Sequence, residues 1–312
     1  MTTQFKLAAA LILSGLIVAG CQKPAEKAET PAAPAARPTA STEVYPFSIG
    51  TLQAAALKDG DLALANATGS SPWTDTAGVA EALRPTGDPK IHLSIQPLLI
   101  RGDDKVVLID TGAGGQMGTA NRLPASLAAA GVQPGQVTDV LISHGHGDHV
   151  GGLVSNGGLT FPNAAIRMSA AEWAALQADA ELAALIPIIT PKVVAFEPGA
   201  QVTPSITAVA LQGHTAGHTG YEIVSGQDRL LYLGDALHSS IISVERPEYV
   251  NQWDFDSDAA IATRLAVLGR GATQSLRTYG VHFPFPGLGA FRRQDDGFVW
   301  VPETAPAGSG QP

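Results

Sequence analysis

The stretch Ser143-His144-Gly145-His146-Gly147-Asp148-His149-Val150-Gly151-Gly152 decides how this chain is read. Three imidazoles and one carboxylate fall within six consecutive positions, separated by glycine. In an extended or turning backbone His144 and His146 point to the same side, because side chains alternate along it. Asp148 and His149 follow where the chain must change direction. A packed core does not usually gather three histidines, and a solvated polar loop has no need of this spacing. Imidazole and carboxylate are the usual non-sulfur ligands of zinc and similar ions, so the cluster predicts a metal site.

Seven of the eight histidines lie in four segments, of which this cluster is the first. Gly213-His214-Thr215-Ala216-Gly217-His218 follows a strand-like run ending at Leu211. Leu233-Gly234-Asp235-Ala236-Leu237-His238 places a carboxylate at the end of an apolar strand. Val281-His282-Phe283-Pro284-Phe285-Pro286-Gly287 sets one imidazole before a rigid aromatic turn. Taken singly, Asp235 reads equally well as a turn residue and His282 better as a packed side chain. Together the segments are far more specific.

Around them strands and helices alternate, an α/β (α+β) pattern. Ile91–Ile100, Lys105–Asp110, Thr138–Ser143, Ala164–Met168, Val193–Phe196, Ile206–Leu211, Tyr221–Val224 and Leu230–Leu233 read as strands. A helix is predicted from about Arg122 to Ala130, stopped by Gly131. Ser169-Ala170-Ala171-Glu172 reads as a capping box opening a helix with Trp173, Leu176 and Ala180 on its apolar face, stopping before Pro187. A last helix is predicted from Asp256 or Ser257, carrying Ile261, Leu265 and Leu268 and ending at Gly269 or Gly271. His92, inside a strand, reads as structural. The polar clusters lie beyond strand ends, where α/β folds keep their function.

The ends of the chain read differently. Residues 1–20 carry Lys6 and an apolar run from Leu7 to Gly20, shorter than the roughly 20 residues of a spanning helix and of signal-peptide type. Val18-Ala19-Gly20-Cys21 resembles a bacterial lipoprotein signal, which implies lipid on Cys21 and a place in the cell envelope, in the outer membrane facing the periplasm. Cys21 is the only cysteine, so no intramolecular disulfide forms and no thiolate is left for a metal. Residues 21–42 are rich in Ala and Pro and read as a flexible tether, and 303–312 as a disordered tail. Residues 43–302 remain as one domain, 45% of the chain's residues being hydrophobic. The net charge of −9 excludes an anionic polymer such as nucleic acid as the natural partner.

His144-x-His146-x-Asp148-His149, Gly213-His214-Thr215, Gly234-Asp235 and His282 together resemble the metallo-β-lactamase superfamily. Within it the chain is most similar to the methyl parathion hydrolase group, neighbour of the N-acyl-homoserine lactonases, supported by Leu108-Ile109-Asp110-Thr111-Gly112 and His282-Phe283-Pro284-Phe285-Pro286-Gly287. The resemblance implies a four-layer αβ/βα sandwich with the site on one edge between two sheets. It implies that His144, His146 and His214 hold one divalent ion, that Asp148, His149 and His282 hold a second, and that Asp235 bridges both. Zinc is the first expectation, with manganese, cobalt and iron as alternatives. A bridging carboxylate keeps such ions about 3.5–4 Å apart, the separation at which a shared hydroxide acts as nucleophile, so Asp148 and Asp235 are the expected catalytic carboxylates. Asp110, His218 and His238 are expected to support ligands or touch substrate. Lactone, ester or phosphotriester hydrolysis of a small molecule is implied. β-Lactamase or thioesterase activity and a non-catalytic metal-binding lipoprotein are the alternatives, and a homodimer is a further expectation from relatives.

Overall fold

The computed structural model describes Met1, residues 41–119 and residues 121–303. Nearly all of the segments read as signal and tether, and nearly all of the tail, therefore lie outside the described residues. The main sheet begins with a hairpin of β1 (Val44–Ile49) and β2 (Leu52–Leu57). β3 (Gly60–Ala65) and β4 (Lys90–Ile95) pair only with each other, with α1 (Thr76–Leu83) between them. β5 (Leu98–Gly102) and β6 (Lys105–Ile109) rejoin the main sheet, and α2 (Leu123–Ala129) crosses to β7 (Asp139–Leu141), parallel to β6. α3 (Gly147–Val150) and the small hairpin of β8 (Val154–Ser155) and β9 (Gly158–Leu159) follow. β10 (Ala165–Ser169), α4 (Ala170–Ala178), α5 (Ile186–Ile189) and β11 (Val193–Phe196) complete a seven-stranded sheet in the order β1-β2-β5-β6-β7-β10-β11.

The second sheet runs in chain order: β12 (Gln201–Thr203), β13 (Ile206–Ala210), β14 (Thr219–Ser225) and β15 (Asp228–Tyr232). α6 (Ile242–Glu245) and α7 (Ser257–Gln274) then lead to β16 (Arg277–Tyr279), β17 (Leu288–Gln294) and β18 (Gly297–Pro302). Three apolar clusters separate the layers. Leu108 and Val140 pack with Leu127 and Leu176 of the helices outside the first sheet. Val107, Ile109 and Leu141 face Tyr221, Leu230 and Tyr232 between the sheets. Leu231 packs with Val267 and Leu268 of α7 outside the second. Consecutive residues 107–109 and 230–232 thus alternate between layers, as period-two side chains on a strand must. The result is the four-layer αβ/βα sandwich. Among the described residues no helix is long and apolar enough to cross a membrane.

Several expectations need correction. Ile91–Ile100 is two strands in different sheets, broken at Gln96-Pro97. β1, β2, β3, α1, α3, β8, β9, α5, β12, α6, β16, β17 and β18 lie where the sequence reading places no element. Ser169 does cap α4, its Oγ accepting from Glu172 N at 3.1 Å, but the Glu172 carboxylate turns away from the cap and no capping box forms. α4 ends at Ala178, Ala180 is exposed, and Pro187 lies in the first turn of α5, where its missing N–H costs nothing. Trp173 is half-buried against the core. α7 runs past Gly269 and Gly271 to a left-handed Ser275, and its buried face is Ala260, Arg264, Val267 and Leu268, with Leu265 exposed.

Candidate metal centre

Four connections bring the sequence-predicted residues to one place. The loop and α3 after β7 carry His144, His146, Asp148 and His149; the turn after β13 carries His214; a single 3-10 turn after β15 carries Asp235; the turn after β16 carries His282. His144 Nε2 and His214 Nε2 lie 3.0 and 2.9 Å from His146 Nδ1, so three nitrogens converge. Asp235 Oδ2 faces His214 Nε2 at 3.5 Å and His144 Nε2 at 3.8 Å. Its other oxygen, Oδ1, faces His282 Nε2 at 3.1 Å and His149 Nε2 at 3.2 Å. Asp148 Oδ2 closes the second group, 3.4 Å from His282 Nε2 and 3.7 Å from His149 Nε2. Two donor sets result, His144, His146, His214 and Asp235 in one and Asp148, His149 and His282 in the other.

The far sides of the rings are occupied. Asp110, at a left-handed φ of 59° after β6, accepts from Ser143 N, Ser143 Oγ, Tyr232 OH and His149 Nδ1–H, all within 2.6–2.7 Å. His214 Nδ1–H donates to Asp254 at 3.0 Å, and His282 Nδ1–H to the Ser94 carbonyl at 2.6 Å. A proton fixed on Nδ1 leaves the Nε2 lone pair facing inward, as metal-ligating histidines require. His218 donates through Nδ1 to the Leu211 carbonyl and accepts the Asp235 N–H on Nε2 at 2.9 Å, so it ties the approach to His214 to the loop of Asp235. His238 is fully buried, which excludes a surface role; Asn251 Nδ2 lies 3.2 Å from its Nδ1, and its Nε2 lies 3.2 Å from Asp235. His92 is exposed and pairs with Asp88 away from the centre.

Burial lowers the pKa of His144, His146 and His214, the last to about 3, and that of His218 to about 4, so these rings are neutral. Burial opposes charge on His149 and His282 too, but the carboxylates of Asp235 and Asp148 outweigh it and raise both. Burial likewise opposes ionisation of Asp235, yet the surrounding imidazoles hold it well below the usual carboxylate range. The donor chemistry fits divalent cations. His149 Nε2, Asp235 Oδ1 and His238 Nε2 are buried without a hydrogen-bond partner, a costly state for polar atoms that a cation at the first two would relieve. A cavity of about 340 Å³ opens on the centre, lined by His146, Asp148, Asp235 and His282 and by the apolar Leu62, Leu93, Met117 and Trp253.

Three residues that hold this centre together are not read as such in the sequence. Asp254 and Arg264 give no local signal, one lying in a loop and the other outside the apolar set Ile261, Leu265 and Leu268 read for the last helix. Glu172 gave a signal that pointed to a different job.

The chain belongs to the metallo-β-lactamase superfamily, whose family profile matches residues 93–272. It is a metal-dependent hydrolase. Among solved structures, AidC, a dizinc quorum-quenching lactonase in complex with the product N-hexanoyl-L-homoserine, is 30% identical with a TM-score of 0.78, over 84% of this chain and 98% of its own. The hydrolase AbOPH of the β-lactamase superfamily is 26% identical with the same TM-score of 0.78, over 86% of this chain and 99% of its own. A probable metal-dependent hydrolase from Staphylococcus aureus shares the fold at 20% identity, with a TM-score of 0.68 over 83% of this chain and 100% of its own. No curated protein matches the sequence.

Proposed function

We propose that this enzyme works with two divalent ions, zinc foremost, and hydrolyses lactones and related carboxylic esters. The observation that carries the reading is the division of Asp235, whose Oδ2 faces His144 and His214 while Oδ1 faces His149 and His282. His144, His146 and His214 would hold one ion, Asp148, His149 and His282 the other, and Asp235 both. Bound there, the ions supply Lewis acidity, polarising a substrate oxygen and lowering the pKa of a water toward about 7.

The chain's own groups do the rest. Asp110, Asp254 and the Ser94 carbonyl hold three rings by Nδ1 and so turn each Nε2 inward. His238, its Nδ1 taken by Asn251, turns Nε2 toward Asp235 at 3.2 Å and backs the carboxylate shared by the two groups. Leu62, Leu93, Met117 and Trp253 exclude water on one side and offer an apolar surface to an acyl group. Lactones come first because the 30% identical relative is a lactonase.

The test is a panel of N-acyl-homoserine lactones, γ-lactones, aryl esters, thioesters, phosphotriesters and β-lactams, assayed with zinc- and manganese-loaded enzyme. We expect the highest kcat/KM on a lactone, at about 10⁴ M⁻¹s⁻¹ or above. A highest value on a phosphotriester, a thioester or a β-lactam overturns the substrate assignment.

A further inference from the structure

The first turn of α4 packs against both loops that carry the three-imidazole group. Glu172 is 2% exposed and spends its whole carboxylate on those loops. Its Oε1 accepts the Gly145 N–H at 2.7 Å, the peptide between His144 and His146. Its Oε2 accepts the Thr215 hydroxyl at 2.6 Å, next to His214, and the Gly217 N–H at 3.1 Å. Ser169 works from the same turn, its Oγ donating to the Gly217 carbonyl at 2.7 Å. Gly217 is therefore held at its N–H and at its carbonyl by one helix end.

The glycines of both loops are part of the same contact. A Cβ on Gly217 would lie 2.2 Å from Glu172 N, and one on Gly145 would lie 2.3 Å from Leu176 Cδ1. The Gly between the first two histidines and the Gly before His218 are what let α4 approach this closely. Three donors from two loops, at sequence separations of 27, 43 and 45 residues, meet on one side chain. Asp148, His149 and His282 receive no bond from it.

We propose that Glu172 is a positioning residue that sets the distance between the His144/His146 pair and His214, and so tunes the affinity of one ion and not of the other. The inference rests on the two-ion reading above. Glutamine cannot replace Glu172, because its NH₂ would face either the Gly145 N–H or the Thr215 and Gly217 donors. Loss of a supporting partner of this kind weakens metal binding roughly ten- to a hundredfold.

The test is titration of the full-length metal-free chain with Co(II), followed by calorimetry and by the visible d–d bands, for wild type, Glu172→Gln and Thr215→Val. For Glu172→Gln we expect one ion bound as in wild type and the other weakened about ten- to a hundredfold, with its bands altered. Thr215→Val, which removes one bond and leaves the carboxylate in place, should weaken the same ion by a smaller factor. A merely structural role would weaken both ions together or neither. Either result in a folded Glu172→Gln overturns the proposal, and if that variant does not fold, an unchanged or uniformly weakened Thr215→Val overturns it instead. A wild type that binds fewer than two ions overturns the two-ion reading and this proposal with it, whereas two wild-type ions with unselective variants overturn this proposal alone.

Discussion

Arg264 is 1% exposed, and each of its three side-chain nitrogens donates. It reaches the carbonyls of Pro247 and Tyr249 at 2.7 and 3.1 Å, that of Ala236 at 3.3 Å, and Asp254 at 2.9 Å. Ala236 follows Asp235, and Asp254 holds His214, so one guanidinium ties α7 to two ligand-bearing segments. Burial lowers its pKa and the Asp254 carboxylate works against that, as for any buried pair. Arg264→Met takes the donor from Asp254 Oδ2 and from three carbonyls, and removing one partner of a buried pair costs about 3–5 kcal/mol. A urea midpoint lowered by a corresponding amount is expected; a change under about 1 kcal/mol would contradict this role. The ligands themselves were legible because metal chemistry restricts residue type and spacing at once. Arg264 was not, because Ile261, Leu265 and Leu268 mark a plausible apolar stripe. The helix instead turns the Arg264 face inward, where carbonyls and a carboxylate offer what an arginine needs.

Among elements, β7 carries the histidine loop and is pinned from both sides. Its Asp139 accepts from Lys105 of β6 at 2.9 Å, from Arg167 of β10 at 2.7 Å and from Thr138 at 2.9 Å. Burial raises the pKa of Asp139, but these bonds more than reverse it and leave it below its ordinary value. A carboxylate depressed on folding contributes stability that is complete above its unfolded pKa of about 3.9 and fades as pH falls through the folded value. The side chains of Lys105 and Arg167 are 36% and 25% exposed, so water screens part of the gain. Asp139→Asn should therefore cost about 1–3 kcal/mol at pH 7 by urea denaturation, with the deficit narrowing below about pH 4. A deficit that grows on acidification would contradict the assignment. The buried strands β6, β7 and β15 were readable as unbroken apolar runs. β2, Leu52-Gln53-Ala54-Ala55-Ala56-Leu57, was not, because alanine favours helix and only pairing with β1 and β5 makes it a strand. α7 misled at its end because glycine marks a stop only where the chain needs a left-handed residue, and here Ser275 takes that position.

At the scale of the whole molecule, the first sheet delivers His144, His146, Asp148 and His149, and the second delivers His214, Asp235 and His282. The centre exists only when the two sheets are packed face to face, so metal binding and folding are linked. The order of strands showed an α/β pattern, and the four-layer sandwich was legible from the resemblance that the ligand spacing carries. The same resemblance implied that Asp235 stands between the two groups, but not which of its oxygens faces which rings, since no sequence pattern carries that. That division underlies the central claim, that seven side chains hold a pair of ions. The direct measurement is the metal content of the purified chain after loading with zinc and removal of free ion, read by plasma mass spectrometry against protein concentration. The account predicts about two equivalents per chain; a content near one, with the fold intact by circular dichroism, would contradict it.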